Sequence, residues 1–217
     1  MVRKDAWNDF YFFEFTKADN DYEYTMKQLE TFKEALTIVQ KNFNTIKYIH
    51  TSASNGLLNF KEDFTNLTRP GIIMYGYPSF DNIEKLIDLK PIATLKSKIT
   101  FIKDVPQNTS IGYSRSYITN KPTKVATIPI GYADGLRRDL SNKGKVIINN
   151  TIVPIIGKVC MDSFMVDITD LENVQVGNDV YIWDNNLITL EEVADTCNSI
   201  NYEILSTISS RVPRIFK

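Results

Sequence analysis

The hydrophobic period of this chain changes once, near residues 80–90, and that change constrains the fold more than any other feature. Before it, short apolar runs alternate with a helical one. Residues 10–15 read as a strand, and ADND at 18–21 as a turn. Residues 22–41 place Leu29, Phe32, Leu36 and Val39 at alternating spacings of three and four, one apolar stripe on a helix. A second short strand is expected at 46–50, a short surface helix at 57–64, and a third run that begins near Leu67 and meets Pro70-Gly71. Strand, helix, strand in that order predicts parallel strands joined by a crossover helix.

Beyond the change, helices nearly vanish. Strand-like runs recur at 92–103, 124–130, 145–148, 152–159, 164–168 and 179–183. Asn149-Asn150 suits a tight hairpin because asparagine tolerates positive φ, and residues 184–186 read as another turn. Thr189 and Glu192 have capping-box spacing ahead of Val193, Ala194 and Cys197, and a further short helix is expected at 202–208. The expectation is α/β for residues 1–85 and a mainly β domain, a small barrel or sandwich, for 86–217.

Composition narrows the function classes. The apolar and charged fractions, 43% and 24%, are those of a soluble globular protein. A net charge of -1 predicts no nucleic-acid or membrane-surface partner. No run approaches the roughly 20 apolar residues of a spanning helix. Two cysteines, Cys160 and Cys197, fit a reducing compartment, so a cytoplasmic location is expected. One histidine, His50, and no cysteine pair at ligand spacing argue against a zinc site.

Seven strings are more particular than composition: FTKAD at 15–19, HTSASNG at 50–56, TRPGIIMYG at 68–76, GYSRSY at 112–117, IPIGYADG at 128–135, GKVCMD at 157–162 and NYEILSTISSRVPR at 201–214. In this order and spacing they resemble the alanine racemase family, from about Phe10 to the C-terminus. The resemblance implies part of an N-terminal (β/α)8 barrel followed by a C-terminal β domain. It implies a pyridoxal 5'-phosphate-dependent amino-acid racemase, an isomerase that interconverts L- and D-alanine and supplies D-alanine for peptidoglycan.

The family's site residues carry over by motif. Tyr113, in GYSRSY, matches the tyrosine that moves the Cα proton on one face of the substrate. Racemisation needs two bases on opposite faces, and a phenol, ordinarily near pKa 10, serves only where cations or hydrogen bonds assist it. Arg69 matches the arginine facing the pyridine nitrogen. Ser54, Gly71 and Ile72 match the phosphate-binding set, and Pro70-Gly71 before IIMYG suits a helix start that favours an anion. In such barrels the loops after the last two strands are the usual phosphate site, and Ser54 and Gly71 would follow those strands. Tyr202 matches a tyrosine on the phosphate that narrows the pocket toward alanine. Met161 matches a substrate contact, and Tyr132, Arg138 and Asp162 match residues at the substrate entrance. In the family, Tyr113 and Met161 come from the partner subunit, which implies a homodimer with a shared site. Cys160 reads as a buried small hydrophobe rather than a nucleophile.

The chain also departs from the family pattern. The stretch that would carry the cofactor lysine is expected to be missing, which predicts a fragment that is inactive alone. Glu14 stands where the family has a histidine that stacks on the pyridine ring, and Ala53 where it has an asparagine. A non-catalytic alternative is a β-domain module that dimerises with, or complements, a full-length racemase.

Overall fold

A computed structural model describes residues 10–15, 21–43, 46–78 and 87–216. The chain divides into two compact units, Met1–Ile92 and Ala93–Lys217. Most of the turn expected at 18–21 lies outside the described residues, as does much of the interval where the period changes.

In the first unit, β1 (Phe10–Phe12) and β2 (Tyr48–His50) pair in parallel, with Phe10 opposite Tyr48 and Phe12 opposite His50. Helix α1 (Tyr22–Asn42) connects them, as the periodicity requires. Asp21 caps it by accepting the Tyr24 N–H at 3.0 Å, which satisfies one of the amides a helix start leaves orphaned. Thr25, Leu29, Phe32 and Leu36 form the buried stripe. Phe32, Leu36 and Ile49 make the core, with Tyr11, Phe13, Ile46 and Phe64 packed against it. Val39, expected on that stripe, is only half-buried.

The helix expected at 57–64 forms earlier, as α2 (Ser54–Asn59). It packs closely on its surroundings: a Cβ at Gly56 would lie 3.1 Å from both the Phe15 ring and Ser52 Oγ, a tight fit that glycine relieves. Residues beyond Phe60 run instead along β2, where Asn66 Oδ1 accepts the Ile49 N–H at 2.8 Å and the Arg69 N–H meets Ser52 O at 2.8 Å. A short 3-10 helix, Ile72–Tyr75, follows Pro70-Gly71.

The second unit is built on a seven-stranded antiparallel sheet. Its strands are β3 (Leu95–Lys98), β4 (Phe101–Val105), β7 (Thr123–Ile128), β8 (Lys145–Ile148), β9 (Thr151–Ile156), β10 (Phe164–Asp167) and β11 (Asp179–Trp183). They lie in the order β3-β11-β8-β9-β10-β7-β4, so the two end strands are consecutive in the chain and the sheet curls. The run expected as one strand over 92–103 is therefore two. At its corner the Ile99 N–H bonds Asn178 O while the Thr100 N–H bonds Thr127 O, and the chain changes partner. Val146, Ile147 and Ile148 are all buried, so both faces of β8 are covered. A separate hairpin pairs β5 (Ser110–Ile111) with β6 (Tyr117–Ile118). Two short helices, α3 (Leu190–Thr196) and α4 (Asn201–Thr207), follow the sheet. Thr189 and Glu192 form the expected capping box on α3.

Candidate active site

In the first unit, the candidate residues gather at the C-terminal ends of the two parallel strands, where ligands bind in folds of this kind. Arg69 is fastened there by four bonds. Its Nε donates to His50 Nδ1 at 2.7 Å, Nη2 donates to Phe13 O at 3.0 Å and Thr51 O at 3.4 Å, and Nη1 lies 3.5 Å from Glu14 Oε1. The guanidinium also sits 5.5 Å from the Phe12 ring centroid. His50 is buried, and because Nδ1 accepts, its proton resides on Nε2. Burial, then the Arg69 charge, holds its pKa below the ordinary value. Glu14 meets Arg69 rather than standing as an isolated negative charge, although an ion pair this exposed contributes little to stability.

Ser54 and Gly71 meet beside this arginine. The Gly71 N–H donates to Ser54 Oγ at 2.9 Å, which leaves the hydroxyl proton to serve another acceptor. Ser54 opens α2 and Gly71 caps the 3-10 helix, and neither helix start has a side-chain cap. Ile72 is buried, so it offers its backbone and not its side chain.

In the second unit, Tyr113 lies at the tip of the β5–β6 hairpin, 73% exposed. Gly112, Ser114 and Arg115 all have positive φ around it. Tyr132, Met161 and Asp162 come together in a knot of three strings. The Tyr132 N–H donates to Cys160 O and the Ala133 N–H to Met161 O, both at 3.0 Å. A Cβ at Gly131 would lie 2.3 Å from Met161 O, so this docking requires glycine. Asp134, buried, accepts the Gly131 N–H at 2.9 Å. Arg211 then joins both strings, with Nε 3.4 Å from Asp134 Oδ1 and Nη2 2.8 Å from Asp162 Oδ1. Met161 remains about half exposed above this knot.

Arg138 is exposed in a 3-10 turn, Arg138–Leu140, while its neighbour Arg137 makes the ion pairs, to Glu203 at 2.6 Å and Asp139 at 3.1 Å. Tyr202 lies in the first turn of α4. Cys160 is half-buried rather than buried, and its thiol donates to Lys158 O at 3.3 Å. His50, Asp134 and Arg211 carry this scaffold without having been singled out as site residues, as do Asn142, bonded to Ser116 and Gly157, and Lys158, bonded to Ser114. His50, Asp134, Lys158 and Arg211 do lie within the distinctive strings. Among the described residues, no cluster of three or more His, Cys, Asp or Glu side chains could hold a metal ion. No described helix is long and apolar enough to cross a membrane.

Comparison with known proteins places these features in one family. The family model described as "Alanine racemase, C-terminal domain" matches residues 92–216, and "Alanine racemase, N-terminal domain" matches 10–79. "Alanine racemase 2" of Caldanaerobacter subterraneus is 42% identical over 205 residues, covering 93% of this chain and 53% of that protein. The alanine racemase of Methanococcus maripaludis is 42% identical over 207 residues, covering 93% and 55%. Among solved structures, alanine racemase from Bacillus anthracis with bound L-Ala-P is similar at a TM-score of 0.87 and 36% identity, covering 95% of this chain and 54% of that one. Alanine racemase from Bartonella henselae with covalently bound pyridoxal phosphate is similar at 0.82 and 31%, covering 95% and 56%. The chain spans about half the length of the curated relatives it matches. With both halves of its described structure matched in order, the chain belongs to the alanine racemase family.

Proposed function

We propose that this chain supplies the phosphate side of the cofactor pocket, and one proton-transfer group, of a pyridoxal 5'-phosphate-dependent alanine racemase. The observation that carries this reading is Arg69, a permanent cation fixed by strand-end carbonyls and His50 at the ligand-binding end of a parallel sheet. Its neighbours fit a phosphorylated cofactor. Ser54 has a hydroxyl proton to give, and the two helix starts beside it carry no side-chain cap, an arrangement that suits an anion. Ser54, Gly71 and Ile72 would hold the phosphate, Tyr202 would contact it, and Arg69 would face the ring nitrogen and keep it unprotonated. The cofactor, when bound, supplies the electron sink for a negative charge at the substrate Cα.

Further roles fall to side chains of the second unit. Tyr113 takes or returns the Cα proton on one face, and its hairpin position leaves the phenol free to reach a substrate. Met161 contacts the substrate, and Tyr132, Arg138 and Asp162 line its entrance. In this reading Tyr113 and Met161 serve the active site of a second copy, so the working form is a homodimer.

The test joins the 217-residue chain in frame behind the leading segment of the Caldanaerobacter relative. The product is loaded with pyridoxal phosphate and assayed for D-alanine formed from L-alanine. Turnover is expected, and Tyr113→Phe is expected to lower it by about 10²- to 10⁴-fold, the range for loss of an acid–base group. Cofactor-loaded protein without turnover, or a Phe variant as active as its parent, overturns the reading.

A further inference from the structure

We infer that Asn142, with Lys158, is the positioning residue for Tyr113, an inference that rests on the proton-transfer reading of that tyrosine. The Tyr113 side chain is largely solvent-exposed, so its place is set by the backbone that carries it. That backbone is the five-residue tip, 112–116, of a hairpin with only two paired residues on each side. Ser114 and Arg115 are consecutive non-glycine residues in the left-handed region, at φ of 59° and 50°. Such a conformation persists only where the surroundings over-determine it.

Within the hairpin, Arg115 Nε donates to Ser110 Oγ at 2.8 Å, and the other bonds come from 26 or more residues along the chain. Asn142 Nδ2 donates to Ser116 O at 3.2 Å, while its Oδ1 accepts the Gly157 N–H at 2.6 Å. Its own backbone N–H donates to Gly157 O at 3.2 Å, so residue 142 is joined to Gly157 by one side-chain and one backbone bond and to the hairpin by a third. Lys158 Nζ donates to Ser114 Oγ at 3.2 Å. Between these two side chains the glycines lie back to back. A Cβ at Gly112 would meet Lys158 N at 3.4 Å, and one at Gly157 would meet Ile111 O at 2.9 Å. Asparagine at φ 57° accounts for the turn at 142, but not for an amide whose two ends hold separate segments. Those two bonds register the tyrosine-bearing tip against the segment that follows β9 and leads to Met161.

The test has two readouts. Backbone ¹⁵N order parameters are measured for residues 113–115 in the 217-residue chain, parent against Asn142→Gly, which keeps the positive φ and removes the amide. We expect about 0.85 in the parent and below about 0.6 in the variant, with the seven-stranded sheet unchanged. Asn142→Asp, which retains the acceptor for Gly157 and loses the donor to Ser116, should fall between them. Should Asn142→Gly fail to fold, Asn142→Asp and Lys158→Met carry the same measurement. An ordered tip in these variants, or a mobile one in the parent, overturns the inference. In the joined racemase, Asn142→Gly should lower kcat about 10- to 100-fold at nearly constant KM, as a misplaced reacting group does. It should lower it no further in a Tyr113→Phe background. An equal loss in both backgrounds overturns the link to Tyr113. Full activity of Tyr113→Phe alone would remove the catalytic reading and leave the order-parameter result standing.

Discussion

His50 accepts a hydrogen bond from Arg69 Nε, so the imidazole is useful to this scaffold only when neutral. Burial and the Arg69 charge both lower its pKa, and folding therefore favours the deprotonated form. The unfolded chain binds this proton more readily, near the ordinary value of about 6.5. Stability from His50 is thus complete above that pH and is lost as the pH falls through the lower, folded value. As the chain has one histidine, its imidazole NMR signal titrates without ambiguity. A midpoint below about 6.5 is expected, and His50→Gln should flatten the decline in stability toward pH 5. A midpoint at or above the ordinary value would contradict the Arg69–His50 bond. The two thiols make a second contrast at this scale. Cys197 is buried, and burial raises its pKa to about 11, with Asp139 adding to the shift. Cys160 is half-buried. In the native protein at pH 8 a thiol reagent should modify Cys160 alone, with Cys197 following on denaturation. Two equally fast thiols would refute the packing around Cys197.

Among the elements, α3 shows most directly how local rules act. Thr189 Oγ1 accepts the Glu192 N–H at 3.1 Å, and Glu192 Oε2 accepts the Thr189 N–H at 2.8 Å. Thr189→Ala removes one of these bonds and exposes a helix start, so a loss of about 1 kcal/mol is expected in chemical denaturation. No change in midpoint would show that tertiary packing of Leu190 and Val193 alone holds the helix. This capping box was legible in the sequence because it is local, as were α1 and the Asn149-Asn150 turn, whose residues have φ of 48° and 58°. The parallel pairing of β1 with β2 was legible from element order, and the mainly β second part from its apolar runs. What escaped depended on distant partners. The corner at Ile99-Thr100 exists because successive amides bond Asn178 and Thr127, and no local pattern records that exchange. Helix α2 packs Gly56 against the Phe15 ring, a contact across 41 residues that no local pattern records. The candidate site divides in the same way. All its named residues except Arg138 stand in distinctive strings, whereas Asn142 stands in none, and both it and Arg211 act through bonds to residues 15 to 77 positions away.

At the scale of the molecule the two units differ in how far each accounts for its own burial. Within the second, every pairing of the seven-stranded sheet joins residues between Leu95 and Trp183. Ala126, Val146, Ile148, Phe164, Val166, Val180 and Ile182 are fully buried there, each held on strands that are hydrogen-bonded to neighbours. The knot of Gly131, Met161 and Arg211 closes the same unit on itself. Among its described residues the first unit has one parallel pair of three-residue strands, the face of one long helix and two short helical turns. Two short strands with one long helix and two helical turns bury too little apolar surface to offset the entropy of ordering that chain. Residues 93–217, expressed alone, should therefore fold with a cooperative denaturation and dispersed amide resonances, whereas residues 1–92 should not. The Phe164→Ala variant of the shorter chain sharpens the test, since truncating a fully buried aromatic costs about 3–5 kcal/mol. If residues 93–217 gave only collapsed, non-cooperative unfolding, the curled sheet would owe its order to the unit before it, and the burial of β8 on both faces would need another source.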